Sequence, residues 1–394
     1  MSGVNDALAL DARHRIDGNP LEQAGMVALF ALAGALQFSI AVAQILLTIV
    51  IICWVLLMIV RRERFEAPSF FWPLVAYGGM TLISAAFSAD PRASLIDCKQ
   101  LVLFLIIPVT YRFATGERGH TLITVLLSCA AASAAFGIIQ YGILHYDQLS
   151  QRPRGTLGHY MTYSGLLMIV IAVALSRLLF DKSDRTWAAL VLPALGVAVA
   201  LTFSRNTAVG VCVAAALLFS LKDFRLFAII PIVAAVFIAA APGQIAKRYA
   251  SMFNMNDPTV RDRVAMLHIG ERMIAARPLT GVGPNMVERL YPQYRGPDAV
   301  KPVNPHLHNN PLQIAAERGL PALAIWLWFL VALVRHLWAQ FSEGRHRELG
   351  AAALATIAAL LAAGLFEYNF GDSEVLMLFL TIVSLPAAAA RPPS

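Results

Sequence analysis

The sequence predicts an all-α polytopic membrane protein of about twelve transmembrane helices, with one long extracytoplasmic loop containing short helices. Three observations lead there. Of 394 residues, 58% are hydrophobic and only 14% are charged, whereas about a quarter of a soluble domain is charged. The mean hydropathy is +0.65. The apolar residues also fall in runs close to the ~20 residues a helix needs to cross a bilayer.

Taken in order, the runs are 23–39, 41–60, 70–88, 95–111, 121–144, 161–180, 187–203, 207–221, 226–242, 320–340, 349–367 and 375–390. The first two are separated at Gln37–Ser39, because the combined run is too long for one crossing; the fourth and eighth are short. This divides the chain into residues 1–242 with nine spans, a connection over 243–319, and residues 320–394 with three spans. The first 20 residues are polar and mixed in charge, so no cleavable signal peptide is expected. Cys53, Cys98, Cys129 and Cys212 lie far apart without CxxC spacing, which predicts neither a disulfide framework nor a zinc site.

Orientation follows from Lys and Arg in the short connections. The termini and even-numbered loops hold sixteen, the opposite short loops only Arg92, Lys99, Arg152, Arg154 and Arg205. Both termini are therefore expected in the cytoplasm. The connection 243–319 carries the remaining ten on the outer side, and long loops translocate largely regardless of charge. A net charge of +7 without a soluble surface to carry it points to anionic lipid headgroups or phosphorylated substrates rather than nucleic acid.

Within that connection, "NDPTVRDRVAMLHIGERMIAARP" reads as a helix with Asp257 as N-cap and Pro258 at its first position. A 3.6-residue wheel places Val260, Val264, Leu267 and Ile274 on one face, and Arg261, Ala265, His268 and Arg272 on another. That suits a helix lying on the membrane surface with basic groups to one side. Arg263 stands apart from the basic stripe, beside Leu267 and Ile274, which makes it a site candidate. "RPLTGVGPN", 277–285, is a shaped turn: Gly281 and Gly283 permit torsions closed to other residues, and with no strand before it a phosphate cradle is a poor reading.

"NPHLHNNPLQIAAERGLPALA", 304–324, concentrates polar groups before a hydrophobic run. Pro311 fits a first helical position, Asn310 its N-cap and Gly319 its stop, giving a short helix that feeds span ten. His308 and Asn309 precede that N-terminus, where free amides favour an anion. His306 and His308 are alternatively a metal-binding pair, and the asparagines alternatively plain caps. Arg205 in "TFSRNTAVG" calls for an anionic partner, since an unpaired charge near the bilayer costs about 3 kcal/mol. "LFEYNFGDSEV", 365–375, holds Glu367, Asp372 and Glu374 without a Lys or Arg, either neutralising arginines or acting in chemistry. "QRPRGTLGHYMTYSG", 151–165, adds Arg152, Arg154 and His159. All these clusters fall on one face of the membrane, which favours an enzyme over a transporter, whose polar groups belong at the midplane.

Three of these segments in order, "TFSRNT", "RDRVAMLHIGERMIAARPLTGVGPN" and "HLHNNPLQIAAERGLPAL", resemble the signature of the O-antigen ligases, which group with O-antigen polymerases and O-linked oligosaccharyltransferases. "RGTLGHYMTYSG" resembles that family's sixth span, and the likeness covers about residues 150–375. It implies a glycosyltransferase of the bacterial inner membrane, with the long loop periplasmic. The donor would be an undecaprenyl-pyrophosphate-linked glycan and the acceptor the lipid A–core oligosaccharide. Residue by residue, Arg205 and Arg263 match the family's arginines and His308 with Asn309 its His-Asn pair. Arg152, Arg154, Arg261 and His306 are neighbours expected to bind substrate. The acid expected before the final span is Asp372 or Glu374.

The implied chemistry is an inverting displacement with His308 as base and arginines holding pyrophosphate. With no D-x-D pair, neither metal nor cofactor is expected. The alternatives are an O-antigen polymerase, for which a second long outer loop would be expected, an O-linked protein oligosaccharyltransferase, for which a longer C-terminal region would be expected, and a lipid-linked sugar transporter.

Overall fold

A computed structural model describes residues 19–182, 184–240, 243, 254, 257–344 and 346–392. Arg13, Arg15 and Arg345 of the basic loops, the end of span nine and most of the loop before Asp257 lie outside the described residues. The described residues contain helices and no strand.

In chain order the helices are α1 Pro20–Ala35, α2 Ile40–Val60, α3 Phe71–Ala86, α4 Pro91–Asp97, α5 Ile106–Phe113, α6 Arg118–Gly142, α7 Tyr160–Phe180, α8 Arg185–Leu201, α9 Arg205–Lys222, α10 Ile229–Ala240, α11 Pro258–Ala276, α12 Val287–Tyr294, α13 Asn310–Ser342, α14 Arg347–Ala363 and α15 Ser373–Ala389. Each apolar run of the sequence thus forms helix. Among the described residues six segments suffice, by length and composition, to cross a membrane: α2, Pro91–Phe113, α6, α7, α9 and α13. Shorter apolar helices are α1, α3, α8 and α15.

Local signals set many of the boundaries. The split at Gln37–Ser39 is real: α1 ends at Ala35 and the Ser39 hydroxyl accepts from Val42 N as the cap of α2. The fourth span starts earlier than its apolar run, at Pro91, because Asp90 caps it through Ala93 N at 3.1 Å. Its middle, Cys98–Leu105, is 3-10 helix, which rises about 2.0 Å per residue and lengthens the segment. Helix α7 is largely buried, packed by α8, α9, α14 and α15. The basic loops gather at one end of the bundle, where Arg61 and Arg118 reach the buried Glu22 and Arg112 reaches Glu63.

One expectation about the long loop is corrected and one is extended. The cap of α13 is Asn309, whose side chain accepts from Leu312 N at 2.9 Å; Asn310 is the first helical residue and instead bonds Asn369 at 2.6 Å. The short helix and span ten form one 33-residue segment broken at Gly319, whose backbone is non-helical at φ +83°. The buried side of α11 is Asp262, Ala265, Met266, Ile269, Gly270 and Met273, while Val264 and Leu267 are exposed. Val264 and Leu267 of the wheel's apolar stripe thus face outward, and the buried face is a second one that the wheel did not single out. That second face packs on protein: Met266, Ile269 and Met273 form a core with Val282, Met286, Tyr291, Leu307 and Ala316.

The glycine turn supplies the anchor. N–H groups of Val282 and Gly283 donate to the carbonyls of Ala316 and Glu317, each at 2.9 Å, and Leu320 N donates to Pro278 O. These bonds satisfy groups freed by the break at Gly319. A Cβ on Gly281, at φ +67°, would meet the Glu317 carbonyl carbon at 2.2 Å, so only glycine permits this approach.

Candidate active site

His308 sits one residue before the cap of α13, in left-handed backbone with φ +49°. A histidine held there is uncommon and costs conformational energy, a feature that concentrates at functional sites. Its Nδ1 lies 2.9 Å from both oxygens of Glu367. An ionised carboxylate only accepts, so Nδ1 carries the proton and Nε2 presents the lone pair when the ring is neutral. Glu367 follows α14 and is buried. The Tyr368 N–H also donates to it at 3.1 Å, His306 Nε2 approaches to 3.5 Å and Arg263 Nη2 to 3.8 Å. Burial alone would raise the Glu367 carboxyl; the His308 hydrogen bond and the charges of His308, His306 and Arg263 outweigh it and hold it down at about 2.

Arg263 is fixed a second time through Nε to the Phe366 carbonyl, 3.0 Å. Burial lowers its guanidinium from the ordinary value, Glu367 opposes that, and Arg205 adds to it. Arg205 opens α9 and faces the Asp257 carboxylate at 3.4 Å, which identifies the anionic partner its position demanded. Burial, and again Arg205, lower Arg152, whose guanidinium stacks over Tyr160 at 4.3 Å. Arg205 therefore acts on both Arg152 and Arg263. Arg154 and Arg261 are exposed, and Arg154 turns to the Gly158 carbonyl.

The rings of His306 and His308 pack edge to face with centroids 4.1 Å apart. Burial pushes His306 down to about 4, and its Nδ1 is buried without a partner. Asn309 donates to the Leu365 carbonyl at 3.1 Å, tying the cap of α13 to the Glu367 loop. Asp372 accepts from Thr162 at 2.5 Å and caps α15 through Val375 N, and Glu374 follows it in the first turn. The acid that meets the histidines is thus Glu367, rather than Asp372 or Glu374. Sequence reasoning grouped all three in one loop and, from the family resemblance, favoured Asp372 or Glu374 over Glu367.

A cavity of about 250 Å³ opens beside this cluster, walled by His159, Asn206, Thr207, His306, Glu367 and Asp372. His308 meets the wall through Glu367 and His306. The arrangement provides a histidine oriented by a carboxylate, adjoining guanidinium groups, and a polar hollow. It suits removal of a hydroxyl proton beside a phosphate-bearing group. Donor atoms of His306, His308 and Glu367 also lie within 4.8 Å of one another, the composition of a metal-binding set, although Arg263 already brings Glu367 a positive charge.

No curated protein matches the chain. A family model described as O-antigen ligase matches residues 188–327, a stretch that contains Arg205, Arg263, His306 and His308 but not Arg152 or Glu367. That match covers about a third of this multi-pass membrane protein, and over the stretch that carries most of the cluster the chain is similar to the O-antigen ligases.

Proposed function

We propose that the protein transfers a glycan from undecaprenyl pyrophosphate to a sugar of the lipid A–core oligosaccharide, at the periplasmic face of the bacterial inner membrane, with both termini cytoplasmic. The observation that carries this reading is His308 held by both oxygens of Glu367 next to Arg263. The acceptor hydroxyl oxygen attacks the anomeric carbon, its proton passes to His308 Nε2, and the bond from that carbon to pyrophosphate breaks with the electron pair leaving on phosphate. One displacement inverts the anomeric centre and needs no covalent glycosyl-enzyme.

Arg205 and Arg263, with Arg152, meet the charge that grows on the departing pyrophosphate; planar guanidinium groups match phosphate oxygens in pairs. His306, Asn309, Arg154, Arg261 and Asp372 border the path of the substrates, and Glu374 lies beside them. Guanidinium charge takes the place a divalent ion fills in other glycosyltransferases, so transfer proceeds in chelator.

The test is purified protein with an undecaprenyl-pyrophosphate glycan and rough lipopolysaccharide in EDTA, comparing wild type with His308→Ala. A ladder of modified lipopolysaccharide from wild type alone is expected. Longer glycans left on the lipid carrier would identify a polymerase instead, and absence of both products would turn attention to transport.

A further inference from the structure

The end of the bundle remote from this cavity holds a second cluster. His120 lies in the first turn of α6, His346 is the residue before α14, and Glu348 is in that helix's first turn. His120 Nε2 is 3.1 Å from His346 Nδ1 and 3.3 Å from Glu348 Oε1, and the remaining edge, His346 Nδ1 to Glu348 Oε1, is 4.0 Å. The three side chains are 22%, 20% and 14% exposed, sheltered yet reachable.

Hydrogen bonding accounts for only part of this. One ring proton satisfies the contact between the imidazoles. The buried Glu348 Oε1 accepts no hydrogen bond, although two ring nitrogens face it. Three lone-pair atoms converging around one proton is an arrangement that burial penalises unless a cation sits among them. Zinc binds imidazole nitrogen and carboxylate oxygen at about 2.0–2.2 Å in a tetrahedron. Neighbouring donors then lie roughly 3.3 Å apart, which two edges of the triangle match and the third approaches.

The main chain that carries the three donors is held in place. His346 is held in left-handed backbone, φ +52°, which aims its ring at His120. Thr124 donates to the His120 carbonyl, and Ser176 donates to the Glu348 carbonyl at 2.6 Å. Arg177 is engaged away from the donors, with Thr124 and Asp184. Among the described residues the ion-pair contacts of Glu348 run to the two histidines.

We propose that His120, His346 and Glu348 bind a divalent transition-metal ion of the zinc type, leaving a fourth position open, and that this ion ties the start of α6 to the start of α14. The experiment uses the full chain in detergent, stripped of metal, titrated with Zn²⁺ by calorimetry and with Co²⁺ by visible absorption. The variants are His120→Gln, His346→Gln and Glu348→Gln, which keep size and hydrogen bonding, with His306→Ala and His308→Ala marking the other cluster. Melting in chelator confirms that each variant folds.

Wild type should bind Co²⁺ with tetrahedral absorption and melt at higher temperature with Zn²⁺. Each glutamine variant should lose one equivalent, with at least a hundredfold weaker affinity, while His306→Ala and His308→Ala retain it. Absence of saturable binding overturns the proposal, as does one equivalent that survives all three glutamine variants or vanishes only with His306→Ala or His308→Ala.

Discussion

Helix α14 has a cluster of two histidines and a glutamate at each end. Beyond its C-terminus Glu367 meets His306 and His308; at its start Glu348 meets His120 and His346. The helix is 17 residues long and so spans about 25 Å from one cluster towards the other. Their side-chain types are the same and their surroundings differ. Glu367 is approached by Arg263 and uses both oxygens on His308, whereas Glu348 leaves one buried oxygen without a hydrogen bond. A carboxylate already matched by guanidinium and amide hydrogen can orient a base, and one left short of protons is suited to a cation. Residue composition alone therefore cannot assign the role of such a cluster; the charge next to it does.

The largest effect expected from breaking this contrast is at His308. His308→Ala should lower transfer by about 10²–10⁴-fold, the usual contribution of a positioned base, measured by single-turnover glycan transfer; a loss under tenfold would remove His308 from the chemistry. Glu367→Gln keeps the shape but can fix the wrong tautomer, and should lower kcat by about a hundredfold. Arg205→Lys exchanges a planar fork for a point charge and should cost roughly tenfold in kcat/KM, chiefly through donor binding.

Smaller, and sharper as a test of environment, is the dependence of stability on pH. His306 in the fold titrates near 4 against an ordinary 6.5, so the unfolded chain takes up its proton first as pH falls. Its contribution is whole above about 6.5 and is lost on the way down to 4. Glu367, near 2 against 4.5, extends the loss below pH 4.5. Melting temperature should decline through both windows, and His306→Ala should flatten the upper one. Asp372→Ala should cost about 1 kcal/mol through loss of the α15 cap, read from denaturant melts.

Much of this architecture is written locally. The apolar runs, the Asp257 cap of α11, the break at Gly319 and the need of Arg205 for an anion all follow from short stretches, and Arg263 drew attention by lying off the basic stripe. What sequence could not supply is partnership across the chain. Glu367 and His308 are 59 positions apart, and His120 and His346 are 226 apart, without a spacing motif to join them. The buried face of α11 went unseen for the same reason, since its partner is protein brought in by the glycine turn.

That turn has a mechanical consequence. It docks the chain just after α11 onto the break at Gly319, and from there α13 continues to Ser342 with no other non-helical residue. Residues 320–342 form a stiff strut, and the helical turns before the break, which begin next to His308, are fixed to its head by the glycine turn, so its tilt sets the height of His308 relative to the lipid surface. A helix answers a thinner or thicker bilayer by tilting. Turnover in vesicles should therefore vary with acyl-chain length, and it should vary less once Gly319→Ala has loosened the join.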